Sequence, residues 1–93
     1  MKILLDDAEM DAQLSRTLVA IAAEAADIGE ALATARRVTE GDYDSWYREW
    51  AHTASAASAA GDESARRGHN LTARKAHLRA SEYCRQALLF LRP

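Results

Sequence analysis

The side chains with the most chemistry to offer fall in one decapeptide, GDYDSWYREW, residues 41–50. The chain has six aromatic residues and four of them sit here: Tyr43, Trp46, Tyr47 and Trp50. On a helix Trp46 and Trp50 are four apart and share a face, and Tyr43 and Tyr47 share an adjacent one. Arg48 and Glu49 point elsewhere. Such a cluster serves as a local core, as one wall of a ligand pocket, or as a contact to a partner. A small, alanine-rich bundle cannot bury all four rings, so some are expected at the surface, where an aromatic patch marks an interface.

Other reactive residue types are present without the spacing that would make them work. A serine hydrolase needs its nucleophile on a G-x-S-x-G elbow between a strand and a helix. The four glycines, Gly29, Gly41, Gly61 and Gly68, frame no such motif, and GDESA at 61–65 is off pattern and helix-like. His77 and Cys84 lie seven apart on one helix face. Two ligands fall short of the three or four that zinc takes, so they read as a packed imidazole and a buried thiol. Asp42 and Asp44 read as a helix cap and a first-turn acid, not as a general acid and base. Glycine-rich phosphate loops are absent, and no cofactor or metal is expected.

Ninety-three residues make one small domain with a thin core. Alanine supplies much of the 48% apolar fraction. It favours helix and adds little burial per residue. The formal charge is −2. Residues 1–65 carry 5 Lys/Arg against 13 Asp/Glu, and residues 66–93 carry 7 against one, Glu82. An acidic part and a basic part of one bundle that neutralise each other explain this better than a nucleic-acid surface, because no basic cluster exceeds two residues. A single cysteine allows no internal disulfide and fits a reducing cytoplasm. The opening MKILLDD is too short for a signal peptide, and no stretch approaches a membrane span.

The elements that must position these residues read as all-α, in about four helices. The first is expected over roughly 7–26, with Met10, Leu14, Leu18, Ile21 and Ala25 on one face. DIGE, 27–30, is a capping box that starts a helix over 28–38, with Ile28, Leu32, Ala35 and Val38 inward. Gly41 and Asp42 end that segment and cap a third helix, 43–67. Its expected inward stripe is Tyr43, Tyr47, Trp50, Ala54, Ala57, Gly61 and Ala65, and Gly61 there would let another backbone approach. RRGHN, 66–70, is a turn. A fourth helix over 72–91 carries one stripe of Ala73, Ala76, Ala80, Tyr83, Ala87 and Phe90. A second stripe beside it holds His77, Ser81, Cys84, Leu88 and Leu91. A face this wide implies burial on two sides. The last two helices are expected to form a tight antiparallel hairpin, with Tyr83 and Phe90 toward the aromatic end of the third.

Taken together, DIGEALATARRV, GDYDSWYREW and GHNLTARKAHLRASEYCRQALLFL resemble, in order and spacing, the N-terminal helical region of a group of α/β-hydrolases. These are the fermentation-respiration-switch-type esterases, 2,6-dihydroxypseudooxynicotine hydrolase and fungal polyketide-shortening hydrolases. The resemblance runs from about Asp6 to Leu91. It implies a helical cap that precedes a catalytic α/β domain carrying Ser, Asp and His. By position, Trp46, Tyr47 and Trp50 match the family's aromatic motif, Gly68 and His69 its turn, and Arg79, Ser81, Tyr83 and Arg85 its last helix. The resemblance implies that such residues pack the cap together and face the catalytic domain and its pocket. Three positions depart from it. Lys75 in TARK breaks the expected capping box, Gly61 stands where alanine is usual, and Cys84 stands where a tyrosine is common. The family's catalytic residues would lie beyond Pro93.

The expected function is therefore the non-catalytic cap of an ester or C–C bond hydrolase. Candidate pocket- or partner-facing residues are Tyr43, Trp46, Tyr47, Trp50, Arg79, Ser81 and Tyr83. The partner is a catalytic domain, covalent or separate. The alternative is a free-standing helical interaction module, possibly a homodimer. A small-molecule or nucleic-acid binder ranks below both, and neither nucleic acid nor membrane is an expected partner.

Overall fold

The computed structural model of the chain describes residues 2–91. Met1, Arg92 and Pro93 lie outside the described residues, and so do the catalytic residues expected beyond Pro93. The described chain is all-α: α1 (Ala8–Val19), a 3₁₀ turn (Ala20–Ala23), α2 (Ile28–Arg37), α3 (Tyr43–Arg66) and α4 (Asn70–Leu88). No strand occurs among the described residues. The first helix is shorter than its apolar repeat suggested. It tightens into the 3₁₀ turn and stops at Glu24, whose φ of 60° is left-handed.

Three of the four helices start on an aspartate. Asp7 accepts from the Met10 N–H, Asp27 from Glu30 and Asp42 from Ser45, each satisfying one orphan donor of a first turn. The fourth has no side-chain cap, as the loss of the box at Lys75 implies, and begins at Asn70, two residues before the expected Thr72. Gly41 and Gly68 carry φ of 81° and 79° in the turns that flank α3, a conformation side chains oppose.

α3 and α4 pack tightly along their length as an antiparallel hairpin. At about 1.5 Å per residue α3 spans roughly 36 Å, most of the molecule's 42 Å long dimension. α1 and α2 lie on one side of this hairpin. The core joins Leu5, Met10, Leu14, Ala31, Ala35, Val38, Trp46, Trp50, Ala57, Tyr83, Ala87 and Phe90.

The inward stripe of α3 is rotated from the expected one. It runs Ser45, Trp46, Trp50, Thr53, Ala57, Gly61, while Tyr43, Tyr47 and Ala65 are exposed. Trp46 offers more apolar area than Tyr47 and takes the core position. Ser45 and Thr53 are buried because the α2 region supplies partners. The Thr39 N–H donates to Ser45 Oγ at 2.7 Å, and the Thr34 and Thr53 hydroxyls lie 2.6 Å apart. In α2, Ala31 and Thr34 are buried and Ile28 is exposed.

Gly61 does permit a close approach, but of a side chain and not of a backbone. A Cβ there would lie 2.6 Å from the His77 ring.

The two charge halves meet in cross-pairs. Lys75 reaches Glu24 at 3.4 Å and Arg79 reaches Glu30 at 3.0 Å. The pairs of Glu63 with Arg66 and Arg67 at the hairpin tip are exposed and contribute little.

Asp11, in the first turn of α1, also holds the segment that precedes the helix. Its carboxylate accepts the N–H groups of Ile3, Leu4 and Leu5 at 2.7–2.9 Å and ties the N-terminal segment onto α1. Burial disfavours its charge, but the three amides, with Lys2, outweigh that and hold the carboxyl below its ordinary value of 3.8.

Asp11 and Gly61 each give this geometry a measurable consequence. A carboxyl held low in the fold stabilises it above the ordinary value and loses that contribution as pH falls through the folded value. Stability to urea is expected to be level from pH 7 to about 5, then to fall below about 4 as Asp11 protonates. Asp11→Asn should cost stability at pH 6 and lose that deficit near pH 2; an unchanged acid limb in Asp11→Asn would contradict this. Gly61→Ala should raise stability by about 1 kcal/mol in a His77→Ala background, where the helix-propensity gain is free of the ring. In the wild-type background most of that gain should vanish, and a four-variant urea cycle reads the coupling.

Candidate functional site

The seven singled-out residues separate into three settings. Trp46, Trp50 and Tyr83 have no exposed surface. Trp46 and Trp50 lie 5.6 Å apart between centroids, Trp50 and Tyr83 5.8 Å, and Phe90 meets Trp46 edge-on at 5.2 Å. These rings form one cluster in the core, and truncating one of the tryptophans to alanine would cost about 3–5 kcal/mol. Trp46 Nε1 donates to the Gln86 carbonyl at 2.7 Å. Trp50 Nε1 is buried without a partner among the described residues.

Tyr43 and Tyr47 are each 40% exposed. Tyr43 stacks on Phe90 at 4.8 Å and so closes the cluster on its outer side. Tyr47 looks away from α2. Ser81 is exposed on α4 and lines a shallow groove with Ala54, Ser55, Ser58, His77, Ala80 and Cys84. Arg79 is partly buried and faces α2.

Arg79 and Tyr83 meet at the start of α2. Asp27 accepts from the Glu30 N–H as expected of a capping box, but Glu30 does not return to the Asp27 amide. Instead the Tyr83 hydroxyl accepts the Asp27 N–H at 2.8 Å and donates to Glu30 Oε1 at 2.7 Å, and Arg79 Nε donates to the same oxygen at 3.0 Å. The phenol thus sits inside the box and joins α4 to the N-terminus of α2. Burial, partly offset by the Asp27 amide and reinforced by the Glu30 carboxylate, pushes the Tyr83 phenol well above its ordinary value of 10.0. It stays a neutral donor at any working pH.

A second polar chain runs from α4 to α1, and no motif signalled it. Gln86, fully buried, donates through Nε2 to Thr17 Oγ1 at 2.6 Å and to the Gln13 carbonyl. Thr17 in turn donates to Glu82 Oε2 at 2.6 Å, and Arg85 donates to both Glu82 oxygens, from Nε to Oε1 at 3.0 Å and from Nη2 to Oε2 at 2.7 Å. Burial opposes the Glu82 charge, but the bonds from Arg85 and Thr17 outweigh it and hold the carboxyl below its ordinary 4.5. A polar residue recurring on an otherwise apolar helix face is the one sequence signal that marks Gln86.

The groove holds residue types that do chemistry elsewhere. His77 Nε2 lies 3.0 Å from Asp62 Oδ1, and Ser58, Ser81 and Cys84 are close by. Among the described residues none of these hydroxyls or the thiol hydrogen-bonds the imidazole, and the site is open to solvent. An activated nucleophile needs that hydrogen bond, and among the described residues only Asp62 makes one to the imidazole. No group of three or more His, Cys, Asp or Glu among the described residues comes together to hold a metal. No described helix is long and apolar enough to cross a membrane.

Comparison with known proteins gives a consistent set of relatives. The chain is 41% identical over 76 residues to the hydrolase acrC of Aspergillus aculeatus, a match covering 82% of this chain and 18% of that protein. It is 45% identical over 60 residues to the hydrolyase poxO of Penicillium oxalicum, covering 64% and 14%. It is 36% identical over 75 residues to the alpha/beta hydrolase xenA of Xenoacremonium sinensis, covering 81% and 18%. The chain therefore matches less than a fifth of the length of these relatives. No family model matches the chain, and no solved structure matches it significantly.

Tyr83→Phe removes one hydroxyl and leaves the Asp27 amide and Glu30 without their shared partner. A loss of about 1–3 kcal/mol is expected from urea unfolding. A loss below a few tenths would show that water replaces the phenol and that the node does not tie α4 to α2. Over most of its length, this helical bundle is similar to one part of proteins named as hydrolases.

Proposed function

We propose that this chain is the non-catalytic helical cap of an α/β-hydrolase of the ester or C–C bond hydrolase class, acting in the cytoplasm. In this reading it covers a catalytic α/β domain and shapes its substrate pocket. The carrying observation is 36–45% identity to hydrolases across most of the chain. The Ser-His-Asp machinery and oxyanion donors come from the catalytic domain. Tyr43, Tyr47 and Ser81 are the candidates with surface to offer it. Trp46, Trp50, Arg79 and Tyr83 hold the cap in shape behind them.

A second reading, the free-standing interaction module, draws on the internal burial of Trp46, Trp50, Tyr83 and Phe90, which gives the chain a core of its own. It has no counterpart to the hydrolase similarity.

The cap reading predicts that the purified chain turns over no p-nitrophenyl ester above the buffer rate. Turnover by homogeneous protein that disappears on His77→Ala, Ser58→Ala or Ser81→Ala would overturn it, by showing that the groove is itself catalytic.

A further inference from the structure

The α3/α4 hairpin has two sides, and only one is used. Ser45, Glu49 and Thr53 of α3, and Arg79, Glu82 and Gln86 of α4, all engage α1, α2 or the segment after α2. By helix geometry Tyr47, Ala54, Ser58, His77, Ser81, Cys84 and Leu88 lie on the opposite side. That is the second stripe of α4, whose apolar width implied burial, together with its counterpart on α3. Among the described residues no element covers it: Leu88 is 52% exposed, Tyr47 is 40% exposed, His77, Ser81 and Cys84 are exposed, and Ala54 and Ser58 are half-buried.

The composition of this side is unlike the rest of the surface. The chain is 28% charged, yet the groove is floored by alanine, serine and cysteine. Its one titratable base, His77, is already engaged by Asp62. The groove lining holds no Asp, Glu, Lys or Arg, while the exposed Asp44, Arg48 and Arg85 lie within a turn of Tyr47 or Leu88; a charge-poor centre with a charged rim is the pattern of an interface. Small residues between two helices also leave the kind of trough into which the ridge of a third element fits. The groove between α2 and α3 differs, because Glu30, Arg37 and Thr53 line it and are engaged there in hydrogen bonds of their own.

We infer that this open α3/α4 side is the surface on which the α/β part of the hydrolase sits, with Tyr47 and Leu88 as its apolar anchors. The inference rests on the cap reading and adds the face to it. The relatives point to the occupant: more than four-fifths of acrC and xenA lies outside the stretch that this chain matches. Within the cap reading, such a segment packs on the remainder through one face. The opposite side of the hairpin is filled by α1 and α2.

Cys84, the single cysteine, sits in the groove and reports on its coverage. The test replaces the matching stretch of acrC with this chain and follows maleimide labelling of the Cys84 peptide by mass spectrometry, beside the 93-residue chain alone. A control carries Cys84→Ser with Leu78→Cys, which moves the thiol to an exposed α4 position off the groove. The expected result is labelling of Cys84 slowed at least tenfold in the folded, active chimera, with the Leu78→Cys thiol labelled as fast as in the isolated chain. Ser58→Arg with Ser81→Arg should leave folding of the isolated chain unchanged and abolish activity of the chimera. An active chimera whose Cys84 labels at the isolated rate overturns the face and leaves the cap reading standing. Protection of Cys84 in the isolated chain that grows with concentration assigns the face to a second copy and overturns the inference. A chimera that neither folds nor hydrolyses, where acrC does both, overturns the cap reading and the face together.

Discussion

At one end of the α3/α4 pair the buried residues are small, Ala57, Gly61, Ala73 and Ala76, and the His77 ring is seated over Gly61. At the other end Trp46, Trp50, Tyr83 and Phe90 pack ring against ring. This matching of small residues with small and rings with rings is the constraint on which the remaining structure depends. An alanine-rich chain of this length has little apolar area to stabilise it, so its four large buried rings must share one core. α1 and α2 are short and would not persist alone. They are held where the hairpin offers both apolar contact and partners for their polar groups.

Those partners explain why polar side chains lie so deep. Tyr83 closes the cap of α2, Gln86 and Glu82 take up Thr17, and Thr53 takes up Thr34. Each neutral bond adds about 1 kcal/mol net and one to a carboxylate about 1.5–3, and a buried group left without a partner costs about 1–3. The network therefore fixes which face of each short helix turns inward as well as adding to stability. Its members come from all four helices, which makes register and orientation of the bundle interdependent.

Much of this was legible in the sequence, for definable reasons. The helix count, the aspartate caps at 27 and 42 and the glycine turns rest on local rules, and they read directly. The pairing of α3 with α4 followed from matching small residues. The rotation of α3 by one position did not follow, because three- and four-residue spacing admits both Tyr47 and Trp46 as core, and the partners that Thr34 on α2 and Thr39 after it offer to Thr53 and Ser45 favour one of them. The Glu30 box was half right. Its carboxylate is drawn away by Arg79 and Tyr83, which lie far along the chain on α4 and are invisible to a local rule. Asp11 and Gln86 escaped notice for the same reason, since their partners lie beyond the reach of helical spacing. Among the candidate residues, type and spacing marked the aromatic cluster. The division into buried Trp46, Trp50 and Tyr83 and exposed Tyr43, Tyr47 and Ser81 required the packed structure.

The bundle accounts for its own shape but leaves one apolar side, and the reactive residue types along it, without a use inside the chain. On the reading proposed above, that side meets the rest of a hydrolase. The most direct measurement is the sequence of the native transcript on either side of this coding segment, read in all frames. The account predicts a strand-bearing hydrolase sequence with a G-x-S-x-G elbow, in the same polypeptide or in an adjacent one made with it. A stop codon after Pro93 with no such sequence on either side would contradict it.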